Sequence, residues 1–169
     1  MSVGYDLEGI KGRKVNTYIN NMMDAGKTAQ FKECKKVLTE LFPEEKDFIA
    51  SISPNVSRSV TLSTLHGCPP QEIERIASYL LKEKHLHTFV KCNPTILGYE
   101  TARSILDSMG YDYIAFDDHH FKEDLQYSDA VPMFHRLQAL ADKEGLEFGL
   151  KLSNTFPVDV KAGELPSEE

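Results

Sequence analysis

Apolar positions along this chain follow two periods, and the two alternate. Short runs rich in β-branched and aromatic residues are "VTLSTL" from Val60, "TFVKCN" from Thr88, "YIAF" from Tyr113 and "FGLKLS" from Phe148. They read as strands near residues 60–65, 88–92, 113–116 and 148–152. Between them the apolar residues shift to i, i+3, i+4, i+7 spacing, the helix period. Ile73, Ile76, Leu80 and Leu81 share one helical face; so do Ala102, Ile105, Leu106 and Met109, and so do Phe134, Leu137, Leu140 and Ala141. Gly110 and Gly145 stand where the second and third of these helices should stop. Strand starts lie about 25–35 residues apart, the length of a βα unit, so parallel strands covered by helices are expected.

The first third departs from this rhythm. "MSVGYDL" reads as a strand with no lead-in, and "KVNTYINNMMDA" as a helix with Val15, Ile19, Met22 and Met23 on one side. "TAQFKECKKVLTELF" reads as a second helix, and "SISPNVSRS" as a polar loop. Five βα-type strands fit either a small open α/β sheet or part of a TIM (β/α)8 barrel, which usually needs about 250 residues. A strand at residue 1 points to the second. The expectation is a partial barrel over residues 1–160 with a polar tail, "KAGELPSEE", over 161–169.

Composition narrows the function classes. Hydrophobic residues at 41% and charged residues at 27% are ordinary for a globular domain with a real core. A net charge of −7 argues against nucleic-acid and anionic-membrane partners. No apolar run approaches the roughly 20 residues of a membrane span, and the N-terminus lacks the pattern of a signal peptide. Cys34, Cys68 and Cys92 are odd in number, widely spaced and free of any CxxC. They read as thiols of a cytoplasmic protein, with no metal or cluster site of their own.

In both architectures ligands bind at the C-terminal ends of the strands. That brings "DLEG", "STLHGCPP", "KCNPT", "DDHHF" and "SNTFP" to one rim. A tight turn explains Gly67, Pro69 and Pro70 of "HGCPP" but leaves His66 and Cys68 open. Lys91 stands in an otherwise apolar strand: either it meets an anion or acceptor at the rim, or it reaches solvent. Lys151 poses the same question more weakly. Asp117, Asp118, His119 and His120 are metal-capable types, but neighbours on a strand face opposite ways, so at most some could share a metal and a polar loop is the preferred reading. Asn154 offers an amide that pairs with both donors and acceptors.

Taken together, "MSVGYDLEGI", "TLSTLHGCPPQEIERIASYLL", "TFVKCNPT", "LGYETARSILDSMGYDYIAF" and "FGLKLSNTFPVDVKAGELPSEE" resemble an internal section of the "putative selenate reductase subunit" family of long iron–sulfur flavoproteins. At the strand ends the chain is similar, more distantly, to the FMN barrels of dihydropyrimidine and dihydroorotate dehydrogenases. The resemblance implies that Lys91 contacts FMN and that Asn154 and Thr155 help hold a substrate ring. Asp6 stands where the flavin barrels carry an asparagine. In their Asn-x-Ser-Cys-Pro loop, Thr61 takes the place of the asparagine and Thr64 that of the acid/base cysteine. A threonine hydroxyl cannot replace a thiol as proton donor near neutral pH; Cys68, four residues on, could supply one from the same loop, and should then alkylate faster than Cys34 and Cys92. His66 and Asn93 complete the implied substrate-binding set. Iron–sulfur clusters and FAD are implied only for other parts of the parent protein, whose remaining domains or other redox subunits would be the partners. The chain alone should be an incomplete enzyme that self-associates through unpaired strand edges and holds little FMN. Two other readings stay open: a barrel lyase or aldolase using a Schiff-base Lys91 or a metal, and a non-catalytic scaffold segment.

Overall fold

The segment "HTFVKC" shows how the sheet is built. In the computed structural model, which describes residues 1–64, 67–152, 154–156 and 158–159, it forms strand β3, His87–Cys92. Thr88, Val90 and Cys92 are buried, while His87, Phe89 and Lys91 are half-buried. The alternation assigns the first set to the helix-covered face and the second to the face opposite. β3 lies between β2, Ser59–Leu62, and β4, Phe148–Leu152, both parallel to it. β1, Ser2–Val3, pairs parallel with β2, giving the order β1-β2-β3-β4.

Helices return the chain between strands, as parallel pairing demands. α5, Pro70–Lys82, opens with proline in its first turn, where the missing N–H costs no hydrogen bond. Its stripe, Ile73, Ile76, Ala77, Leu80 and Leu81, is buried against Val60, Leu62 and Val90 of the sheet. α8, Tyr127–Glu144, adds Met133, Leu137 and Ala141 to the same core and ends on Gly145 in the left-handed region, φ 68°. Arg136 of α8 clamps Glu74 of α5 with two bonds of 2.7 Å. The fold is α/β, with four parallel strands among the described residues and helices covering one face, as in a partial TIM barrel.

The expected strand at 113–116 is not in this sheet. β4 takes the place beside β3, with Thr88 opposite Phe148 and Cys92 opposite Leu152. Gly149 makes that approach possible, since a Cβ there would stand 2.6 Å from Cδ1 of Phe89. The Tyr113–Phe116 run is satisfied locally instead. Arg103 of α6, Tyr99–Ser108, donates to the carbonyls of Tyr111 and Ile114, and its guanidinium lies over the Phe116 ring. Phe116 packs edge-on to Tyr99 and Phe156 and stacks with Phe121 in a satellite cluster. Of the stripe expected on α6, Ala102 is buried but Ile105 and Met109 are exposed.

Two more differences concern the N-terminal third. The strand read in "MSVGYDL" stops at Val3, because Asp6 caps a short helix, α1, Leu7–Lys11, through Gly9 N. After α2, Arg13–Met23, the chain makes an excursion through α3, Ala29–Leu41, and α4, Lys46–Ser51, before β2. α3 rests on α4, with Lys35 Nζ donating to Ala50 O at 2.8 Å, and Phe31, Lys35 and Thr39 are its half-buried positions. At the other end of the sheet, no described strand pairs with the outer edge of β4, and Leu150 and Leu152 there are 42% and 73% exposed.

Candidate rim site at the strand ends

Parallel strands release their following loops on the same side, so the segments after β1, β2, β3 and β4 gather at one rim. A cavity of about 290 Å³ opens between the first two, lined by Tyr5, Asp6, Thr64, Gly67, Cys68, Pro69 and Glu72. Thr64 and Cys68 also line a second, enclosed cavity of about 20 Å³, the room of one water, together with Lys91, Cys92, Asn93, Thr95 and Asp124. A wider groove, about 810 Å³, lies between α1 and α5 beside Lys11, Glu74 and Tyr79. It is open and carries none of the strand-end groups, which gather at the rim instead.

Asp124 ties the rim together. It follows α7, His119–Glu123, and is only 6% exposed. Its Oδ1 accepts from Gly67 N at 3.0 Å, and its Oδ2 accepts from Thr95 Oγ1 at 2.7 Å and Asn93 Nδ2 at 3.2 Å. A carboxylate that only accepts sets the direction of every bond beyond it. Asn93 must turn its amide NH2 toward Asp124, which leaves Asn93 Oδ1 to accept from Asn154 Nδ2 at 2.9 Å. One chain of hydrogen bonds therefore runs from the Cys68 turn through the β3 loop to the segment after β4. Such bonds hold loop groups in fixed geometry far better than packing of exposed loops alone. Neither Asp124 nor Thr95 stands out in the sequence: "FKEDLQ" looks like any polar turn, and only the buried surroundings of the folded chain distinguish its aspartate.

The other expected site residues divide. Lys91 projects from the face opposite the helices, and Lys151 is its neighbour in register on β4. Asn93, Asn154, Thr64 and Cys68 come together at the rim. Asp6 lines the larger cavity, but one carboxylate oxygen caps α1. Thr61 lies within β2 opposite Phe89, below the strand end. Thr155 is exposed, and His66 lies outside the described residues, as does the tail 161–169. In "DDHH", Asp117 Oδ1 accepts from His119 N, Asp118 pairs with Lys122 and His119 with Glu123, and these side chains cap and brace α7. Among the described residues no cluster of three or more His, Cys, Asp or Glu is placed to hold a metal.

The thiols differ by environment. Burial, and after it the charge of Glu72, raises the Cys68 pKa above the ordinary thiol value. Cys68 is thus a protonated thiol at neutral pH, suited to giving up a proton rather than acting as a resting thiolate. Burial pushes Cys92 up to about 11, and Cys34 is exposed on α3. The expectation that Cys68 alkylates fastest does not follow from this geometry, which favours Cys34.

Fold and rim together define a barrel-type α/β domain with its polar groups at the C-terminal strand ends. The comparison with known proteins is specific: the whole chain, residues 1–169, matches the family described as "Oxidoreductase YgfK, N-terminal TIM-barrel domain", and the chain belongs to that family. It is 43% identical over 184 aligned positions to "Putative oxidoreductase YgfK" of Escherichia coli K12, and equally to that of Escherichia coli O157:H7. All of this chain is covered but only 18% of either relative, so it spans under a fifth of their length. No solved structure matches it. Among the described residues no helix is long and apolar enough to cross a membrane.

Proposed function

We propose that this rim is the flavin side of an FMN-type barrel, and that the barrel belongs to a large iron–sulfur flavoprotein oxidoreductase whose other redox centres lie elsewhere in the polypeptide. The observation that carries the reading is the meeting of Lys91, Asn93, Asn154 and the Cys68 turn at one rim, braced by the buried Asp124. The donor set fits the group: an isoalloxazine ring presents carbonyl oxygens and ring nitrogens that a lysine ammonium and carboxamides can meet, and the ammonium would also favour a reduced, anionic flavin. When bound, the flavin supplies transfer of an electron pair. The chain's own residues bind and orient. Lys91 places positive charge on the open face of the sheet. Asn93 and Asn154, set in direction by Asp124, fix the edge of a ring. Cys68 holds a proton on Sγ at neutral pH, four residues beyond Thr64 in the same loop.

The test uses the full-length polypeptide carrying this chain. Lys91→Ala should lower the bound flavin several-fold, on the order of 1–2 kcal/mol for a lost charge-assisted hydrogen bond. Unchanged flavin content, or no flavin in the wild type, removes the assignment. Trapping of a carbonyl substrate on Lys91 by borohydride would favour the lyase reading instead.

A further inference from the structure

Helix α3 has its apolar stripe on the outside. Phe31, Lys35 and Thr39, spaced by four, are the half-buried positions of the helix, and Lys35 on that side bonds to Ala50 of α4. Next to that side, Cys34, Val37, Leu38 and Leu41 occupy an arc of the helix at i, i+3, i+4 and i+7, the spacing of a packing face. Yet Val37 is 40%, Leu38 36% and Leu41 65% exposed, and Phe42 just beyond the helix is 49% exposed. The remaining arc is charged: Lys32, Glu33, Lys36 and Glu40. Among the described residues, α3 is the one helix of eight residues or more that buries no side chain. A thirteen-residue helix gains most of its stability from burying its apolar face, and here that face is bare.

We propose that the Val37–Leu38–Leu41–Phe42 face of α3 is the seat of another domain of the same polypeptide, which presents an apolar surface to it. Two observations select that occupant. Relatives of this chain extend over more than five times its length, so most of the polypeptide lies outside it. The face itself is small. Four side chains at these exposures offer on the order of a few hundred Å², short of the roughly 800 Å² per partner of a stable dimer. Within one polypeptide a small face suffices, because tethering supplies an effective concentration in the millimolar range. The flanking charges are of both signs, which gives no handle to a strongly charged partner. The inference rests on the chain being part of a longer polypeptide and is independent of the flavin reading.

Cys34 lies in the stripe and is exposed in this domain, so it reports on cover. In the native full-length polypeptide, modification of Cys34 by N-ethylmaleimide, followed by peptide mapping, should be at least ten-fold slower than in a Leu38→Asp, Leu41→Asp double variant. Lys36→Asp, on the charged arc, should keep the slow rate. Buried Cys92 should stay unmodified in all three, which establishes that the domain is folded. Should the double variant expose Cys92, the comparison becomes wild type against its urea-unfolded form. A ten-fold difference there supports the seat and a difference under three-fold overturns it. Equal Cys34 rates in the wild type and the folded double variant also overturn the proposal, since the face would then be open. So does a dimer in sedimentation that the double variant splits, because a second copy would then be the occupant. Flavin content enters none of these readouts.

Discussion

Helices α5 and α3 each run thirteen residues and each carry an apolar stripe, yet they stand in opposite environments. α5 buries five side chains between the sheet and α8, whereas α3 buries none. The difference lies in position along the chain. α5 links two adjacent parallel strands, so the crossover lays it on the sheet. α3 belongs to an excursion between β1 and β2 and touches mainly α4 and its lead-in turn. Amphipathicity states what a helix needs, and connectivity decides whether the same domain supplies it.

Substitutions can break or sharpen this contrast. Leu80→Ala, in the fully buried stripe of α5, should destabilise the domain most, by roughly 2–5 kcal/mol, read as a lower denaturant midpoint. Asp124→Ala should come next, at about 2 kcal/mol, since it strands the donors of Gly67, Asn93 and Thr95. Leu41→Ala on α3 should shift the 169-residue chain by no more than about 0.5 kcal/mol. A large loss at Leu41 with little at Leu80 would invert the comparison and show α3 to be part of this domain's own core.

Much of the frame was legible because its signals are periodic. The helix spacing of Ile73, Ile76, Leu80 and Leu81 and the alternation in "HTFVKC" both stem from burial on one face. Cysteine, lysine and asparagine at strand ends were legible too, since parallel topology alone sends them to one rim. What escaped were features set by contacts remote in sequence. Nothing in "YIAF" shows that Arg103 will take the Ile114 carbonyl or that Phe156 will cover Phe116. Nothing around Asp124 shows that its partners lie 29 to 57 residues earlier. The environment of Cys68 escaped for the same reason: its pKa is raised by burial and by the charge of Glu72, and its own tripeptide reveals neither.

Thiol protection can decide whether the loops after β2, β3 and β4 form one flavin-binding rim. Full-length polypeptide stripped of flavin is treated with N-ethylmaleimide, with and without saturating FMN, and the three thiols are followed separately. Cys92, buried and with its pKa pushed up to about 11, should not react in either case. FMN should slow Cys68 several-fold and leave Cys34 unchanged, because Cys68 lines the cavities at the rim and Cys34 stands apart from them on α3. Flavin that rebinds while Cys68 reacts at its original rate would place the flavin elsewhere than at this rim.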